Sequence, residues 1–276
     1  MADTGTIETR HGVISYMQSR ADGPAILLLH GNSSCKEVFE RQFEAPGLAG
    51  YRIVAIDLPG HGASEDAKDP ARSYTFGGYA EMATEAAAKL GLNKPVIFGW
   101  SLGGHIALEM IGSGFDAAGV MISGTPPVTP ELESLMAGFN IDPAAENLTG
   151  KRDFTEEDVV NYASHTSAVD GSVNAHLLSM CRRTDGRARE TMFSSVMEGR
   201  ALDERAIVAT STVPLAIVNG EGDVFIQPGY FDTLNYAALW PKGVVSVKGA
   251  GHAPFLQKPE AFNALLAEFA KSADAS

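Results

Sequence analysis

Ser101, Asp223 and His252 are the residues whose types and order could carry chemistry. Ser101 sits in Gly99-Trp100-Ser101-Leu102-Gly103, after the apolar run Pro95–Phe98 and before Gly104–Met110, which has helical character. A serine on a sharp strand-to-helix turn is forced into a strained conformation with its hydroxyl held above the sheet. A serine hydroxyl is a poor nucleophile at neutral pH and needs a base to take its proton and an acid to orient that base. Gly220-Glu221-Gly222-Asp223 follows the run Leu215–Val218, and Gly249-Ala250-Gly251-His252 follows Val244–Val247. The order Ser, acid, His puts all three groups on loops after strands, where they can converge.

Each position has rivals. Glu221 precedes Asp223 by two residues, and Asp223 is preferred as the acid because it lies further into the loop. His30, His61 and His105 compete for the base. His30 precedes the serine in the chain and His105 lies on the helix after it, so His252 is preferred. Asp57-Leu58-Pro59-Gly60-His61-Gly62 contains a carboxylate and an imidazole but reads as a shaped turn.

A tetrahedral intermediate also needs donors for its oxyanion. The Leu102 N–H is one expected donor, and the Asn32 N–H in His30-Gly31-Asn32-Ser33-Ser34 is the other. The Asn32 side chain is a candidate for a polar group of the substrate, with turn capping as its other reading.

The elements that must position these groups are short continuous apolar runs: Ala25–Leu29, Ile53–Ile56, Val96–Phe98, Gly119–Ile122, Leu215–Val218 and Val244–Val247. Continuous rather than alternating runs mark strands of a parallel sheet covered on both faces. Thr6–Arg10 and Val13–Gln18 read as a hairpin at one edge. Thr75 caps a helix with Tyr79, Met82, Ala83, Ala86 and Leu90 on one stripe, ended by Gly91. Pro259 opens another with Phe262, Leu265, Leu266 and Phe269. The fold class is α/β, a doubly wound, mostly parallel sheet. No buried strand is expected between residues 125 and 212, where Thr155-Glu156-Glu157-Asp158 signals a capped helix. The expected organisation is a core from 1–124 and 213–276, with 125–212 as a helical cap over the strand ends.

A net charge of −13 argues against nucleic acid or an anionic membrane as partner. Two widely separated cysteines give no disulfide framework, and no apolar run is long enough to span a bilayer. A cytoplasmic protein is expected, with oligomeric state open. The seven histidines are scattered singly, so neither metal nor other cofactor is expected.

Together, His30-Gly31-Asn32, Asp57-Leu58-Pro59-Gly60-His61-Gly62, Gly99-Trp100-Ser101-Leu102-Gly103-Gly104, Asp223 and Gly251-His252-Ala253-Pro254-Phe255 resemble the α/β-hydrolase superfamily over nearly the whole chain. More narrowly, His30–Ser34, Phe98–Ile106, Ser123–Val128 and Arg183–Arg189 resemble the metal-independent N-acyl-homoserine lactonases of this fold. That resemblance implies opening of a homoserine lactone ring by Ser101, His252 and Asp223. In that family the acid is a Glu, and Asp223 departs from it. It also implies that Tyr162 and Trp100 contact substrate, although a packed helix aromatic is the other reading of Tyr162. The partner is then a small ester or lactone. A general carboxylesterase or a carbon–carbon bond hydrolase is the alternative on the same triad, and a non-catalytic small-molecule receptor on this scaffold is a third reading.

Overall fold

The computed structural model describes residues 2–141 and 146–274. The parts of the expected segments that fall on residues 1, 142–145 and 275–276 lie outside the described residues. The strands are β1 (Asp3–Thr9), β2 (Gly12–Gln18), β3 (Ala25–Leu29), β4 (Arg52–Ile56), β5 (Val96–Trp100), β6 (Gly119–Ser123), β7 (Leu215–Gly220) and β8 (Leu239–Val247). They form one eight-stranded sheet in the order β1-β2-β4-β3-β5-β6-β7-β8. The β1–β2 and β2–β4 pairs are antiparallel, and every other pair is parallel. The doubly wound α/β expectation is therefore met.

The continuous apolar runs have a direct structural reason. Alternate residues of one strand serve opposite faces of the sheet. Leu27, Leu29, Val54, Ile56 and Ile97 enter one core, and Ile26, Leu28, Ile53, Val96 and Phe98 enter the other. The first core is covered by α1 (Phe76–Lys89) and α2 (Leu102–Gly112). Thr75 caps α1 by accepting from the Gly78 N–H, and Gly91 beyond its end takes φ 65°. The second core is covered by the C-terminal helix, whose Phe262, Leu266 and Phe269 are fully buried.

Between β6 and β7 the described residues contain no strand of the sheet. They form α3 (Leu132–Gly138), α4 (Glu156–Ser167), α5 (Ala175–Arg183), α6 (Gly186–Met197) and α7 (Glu204–Thr210), and the C-terminal helix is α8 (Pro259–Ala273). Thr155 and Asp158 close a reciprocal capping box on α4.

Two boundaries differ from the sequence reading. β8 begins at Leu239, not Val244, and carries Pro241 and Gly243. It is an edge strand, where a proline is tolerated because its missing N–H faces no neighbour, so its first half lacks the apolar signature. The hairpin strands also extend back to Asp3, with Arg10 and His11 left to the turn.

Candidate active site

Ser101 stands between β5 and α2 with φ 52° and ψ −120°, a conformation rare for a residue with a Cβ. Bonds to the end of β6 and the loop after it hold it there. Its N–H donates to the Ser123 carbonyl at 2.8 Å, and its own carbonyl accepts from Thr125 Oγ1 at 2.9 Å. The flanking glycines are required by close approach. A Cβ on Gly99 would strike the Gly103 carbonyl, and one on Gly103 would strike the Leu29 carbonyl. Strand β5, helix α2 and the end of β3 thus meet backbone to backbone at the turn.

His252 and Asp223 arrive from the ends of β8 and β7. The His252 Nδ1–H donates to Asp223 Oδ2 at 2.8 Å, and both side chains are buried. The other carboxylate oxygen, Oδ1, accepts from the Phe225 N–H at 2.9 Å. With a carboxylate at Nδ1, a neutral imidazole keeps its lone pair on Nε2, the form a general base requires. Gly124 makes room for the ring. It adopts φ 62°, and a Cβ there would lie 2.6 Å from His252 Cε1. Its N–H donates to Asn219 Oδ1 at 2.9 Å, which fixes the loop after β6 beside the ring. Glu221 is exposed, and its carboxylate instead accepts from the Gly249 N–H at 3.2 Å.

The competing histidines are engaged elsewhere. His30 donates Nδ1–H to the Gly31 carbonyl at 2.7 Å and accepts from the Leu58 N–H at 3.0 Å, so both its nitrogens shape backbone. His61 donates to the Pro59 carbonyl within its own turn at 3.0 Å, and burial pushes its pKa well below the usual range. Asp57 accepts from the Lys36 N–H, Lys36 Nζ and the Ala63 N–H. Its turn role matches the sequence reading, but the buried lysine partner is new.

His105 stacks on Phe76 with ring centroids 5.0 Å apart and donates to Glu204 at 2.8 Å. Glu204 also accepts from the Val128 N–H at 3.0 Å, and Glu109 accepts from the Leu202 N–H at 2.6 Å. Glu204 at the start of α7 thereby joins Val128 to His105 of α2, and Glu109 of α2 holds the chain at Leu202. Burial pushes the Glu109 carboxyl up to about 6, opposed by the Leu202 N–H and reinforced by the Glu204 charge. Between the ordinary carboxylate range and about pH 6 the folded chain holds a proton the unfolded chain has lost. Stability from this group is therefore present at low pH and falls as pH rises through that window, by about 2 kcal/mol. Glu109→Gln, which keeps the acceptor for Leu202, is expected to be more stable than wild type at pH 8 by about 1–2 kcal/mol and similar to it at pH 5. Urea denaturation at both pH values checks this, and a wild-type-to-variant difference independent of pH would refute it.

Asn32, Leu102, Trp100 and Tyr162 lie as follows. The N–H groups of Asn32 and Leu102 have no acceptor among the described residues, and Leu102 is the first residue of α2, with no helical carbonyl behind it. The Asn32 side chain is already engaged, donating from Nδ2 to the Thr149 carbonyl at 3.0 Å and accepting from Ser33 Oγ at 3.3 Å. Its amide therefore joins the loop after β3 to the helical segment rather than standing free for a ligand. Trp100 is 1% exposed, and its indole N–H donates to the His252 carbonyl at 2.8 Å. The ring packs on His252 and Phe255. Trp100 thus holds the histidine loop. Tyr162 is 7% exposed, its ring tilted against Phe154, with its hydroxyl against Asn32 and Thr149. Burial raises its pKa, so the phenol stays neutral.

Among the described residues one group has metal-ligand character: donor atoms of Cys35, Glu37 and His176 lie within 4.8 Å of one another. Glu37 Oε1 already receives the Lys36 ammonium at 2.8 Å, and burial pushes the Cys35 thiol up, away from the thiolate a metal needs. No helix among the described residues is long and apolar enough to cross a membrane.

The sequence from residue 26 to residue 265 matches the model of the alpha/beta hydrolase family. The chain belongs to that family. Among solved structures, this α/β hydrolase superposes on the N-acyl homoserine lactonase AidH complexed with N-butanoyl homoserine with a TM-score of 0.93 and 41% identity, covering 98% of this chain and 97% of that one. A mutant of AidH complexed with N-hexanoyl homoserine lactone superposes with a TM-score of 0.92 and 40% identity, covering 98% of both chains. The pimeloyl-[acyl-carrier protein] methyl ester esterase of Nitrosospira multiformis is 26% identical over 93% of this chain and 98% of that protein. A 2-hydroxy-6-oxononadienedioate/2-hydroxy-6-oxononatrienedioate hydrolase of a Pseudomonas species is 27% identical over 88% of this hydrolase and 87% of its own length.

Proposed function

We propose that this hydrolase opens the ring of N-acyl-homoserine lactones through a Ser101, His252 and Asp223 triad. The observation that carries the reading is the hydrogen-bonded His252–Asp223 pair, tied through the His252 carbonyl to Trp100 next to a strained Ser101, in a chain about 40% identical to AidH along nearly its whole length. Ser101 Oγ attacks the lactone carbonyl while His252 Nε2 takes its proton. Asp223 holds the imidazole and stabilises its cationic form. The N–H groups of Asn32 and Leu102 hold the oxyanion. Collapse breaks the ring C–O bond, and the proton on His252 passes to the departing ring oxygen. The product stays attached to Ser101 as an ester. His252 then removes a proton from water, the resulting hydroxide attacks that ester, and Ser101 recovers its proton as N-acyl homoserine leaves.

Residues 125–212 act as a cap in this reading, and the acyl chain lies beneath it. Each buried methylene contributes about 0.8 kcal/mol, so affinity rises with chain length until the pocket ends. The test is product analysis after incubation with homoserine lactones of increasing acyl length, beside p-nitrophenyl esters and a diketone. Ring-opened product at rates above ester cleavage, undiminished by EDTA, is expected. Esters cleaved far faster than any lactone would instead favour a carboxylesterase, the reading supported by the methyl ester esterase relative, and diketone cleavage would favour carbon–carbon bond hydrolysis. Absence of fluorophosphonate label on Ser101 would point to a receptor.

A further inference from the structure

We propose that Arg189 is a positioning residue for the oxyanion donor. Its guanidinium, through Ser33, fixes the Gly31-Asn32-Ser33 loop and so aims the Asn32 N–H at the developing charge. The proposal rests on the reading of Asn32 as that donor.

Arg189 is 3% exposed, and among the described residues it forms no ion pair with a carboxylate. A buried guanidinium without an acid must satisfy its donors on neutral oxygens. Nε donates to the Lys151 carbonyl at 2.7 Å and Nη2 to the Arg152 carbonyl at 2.8 Å. Its face lies 3.8 Å from the centroid of Phe154, the ring that packs on Tyr162. With the fork fixed on three sides, Nη1 points at Ser33 Oγ, 3.2 Å away.

Ser33 is the unusual element. It adopts φ 55°, in the left-handed region that a serine seldom enters, and it is buried. Its hydroxyl accepts from Arg189 and turns its own proton toward Asn32 Oδ1 at 3.3 Å. That orients the Asn32 amide, whose Nδ2 donates to the Thr149 carbonyl at 3.0 Å. Thr149 is two residues before Lys151, whose carbonyl Arg189 also holds. Arg189, Ser33, Asn32 and the 149–152 segment therefore close a ring of bonds around the loop. The loop is set directly against the nucleophile. A Cβ on Gly31 would lie 3.2 Å from Ser101 Cβ and 3.0 Å from the Trp100 ring. A shift of the loop moves the Asn32 N–H relative to Ser101, and donors act only when aimed where charge develops. Lysine cannot replace the fork, because an ammonium lacks the planar set of donors that reaches three acceptors and the ring at once.

The test uses Arg189→Lys and Ser33→Ala, assayed with a short-chain homoserine lactone and p-nitrophenyl acetate, and titrated with phenylboronic acid, a mimic of the tetrahedral state. Because misplacement by about 1 Å can reduce rate roughly 100-fold, kcat on either substrate is expected to fall roughly 10- to 100-fold with KM within about 3-fold. Boronate affinity should weaken in parallel. Folded variants with kcat and boronate affinity near wild type would overturn the proposal, as would a rise in KM alone, which marks substrate binding instead. Should Arg189→Lys fail to fold, Ser33→Ala decides, since it leaves the bonds from Arg189 to Lys151 and Arg152 in place. A wild type that cleaves the ester but opens no lactone defeats the lactonase reading, while the ester kcat and the boronate affinity still judge Arg189.

Discussion

Ser101→Gly is expected to lose turnover by roughly a millionfold while the folded protein becomes more stable. The first half follows from chemistry: without the hydroxyl there is no nucleophile for His252 to activate, and the remaining donors only bind. The second half follows from the backbone. Ser101 holds φ 52° and ψ −120°, fixed by the Ser123 carbonyl on one side and the Thr125 hydroxyl on the other. A residue with a Cβ in such a region stores about 1–3 kcal/mol, and glycine removes that strain at an entropic cost of about 0.5–1 kcal/mol. A net gain of about 1 kcal/mol should raise the melting temperature by about 2 °C. Turnover is read by chromatography of lactone or ester product, and stability by urea titration and thermal melting. Residual activity within tenfold of wild type would remove Ser101 from the mechanism. A lower melting temperature would show that the turn holds no strain for glycine to relieve.

Asp223→Asn is expected to reduce kcat roughly 10,000-fold with the fold intact. The geometry explains why so small a change matters. Oδ1 of Asp223 accepts from the Phe225 N–H, and Oδ2 accepts from His252 Nδ1–H. An asparagine keeps its single carbonyl oxygen on the Phe225 N–H and turns its NH2 toward His252. The imidazole must then accept at Nδ1 and carry its proton on Nε2, where the lone pair is needed. Glu221→Gln is the companion variant, because Glu221 is exposed and its carboxylate accepts from the Gly249 N–H rather than from His252. Its kcat should stay within about twofold of wild type. Equal losses in the two variants would show that the acid has been misassigned.

Much of this was legible from residues alone because the signals are local. A strand buried on both faces must be apolar at every position, so β3, β5, β6 and β7 stood out. Thr155 and Asp158 announced a helix start three residues apart, and the capping box is there. β8 was half hidden because an edge strand can carry Pro241 and Gly243 without losing its pairing. Side-chain roles set by distant partners were harder. Trp100 next to a nucleophile suggests a pocket wall, yet its indole N–H bonds the carbonyl of a residue 152 positions away. Asn32 suggests a free amide, yet its partner Thr149 is 117 positions away. Nothing local to Arg189 distinguishes it from the exposed Arg182, although one is buried against Ser33 and the other pairs with Glu156 at the surface. Likewise, Lys36 carries no sign in its neighbours that Asp57 will draw its ammonium into the interior.

The α/β sheet, the strand-turn-helix around Ser101 and the order of serine, acid and histidine are readable from residues alone, because hydrophobic period and turn chemistry act over a few residues. Long-range packing sets the rest: Asp223 rather than Glu221 reaches His252, His30, His61 and His105 are engaged elsewhere, and Arg189 braces the Asn32 loop. Those outcomes depend on which strand ends are neighbours and which buried donors meet which acceptors. Hydrogen-bond satisfaction in a closed interior settles them only once the whole chain has packed.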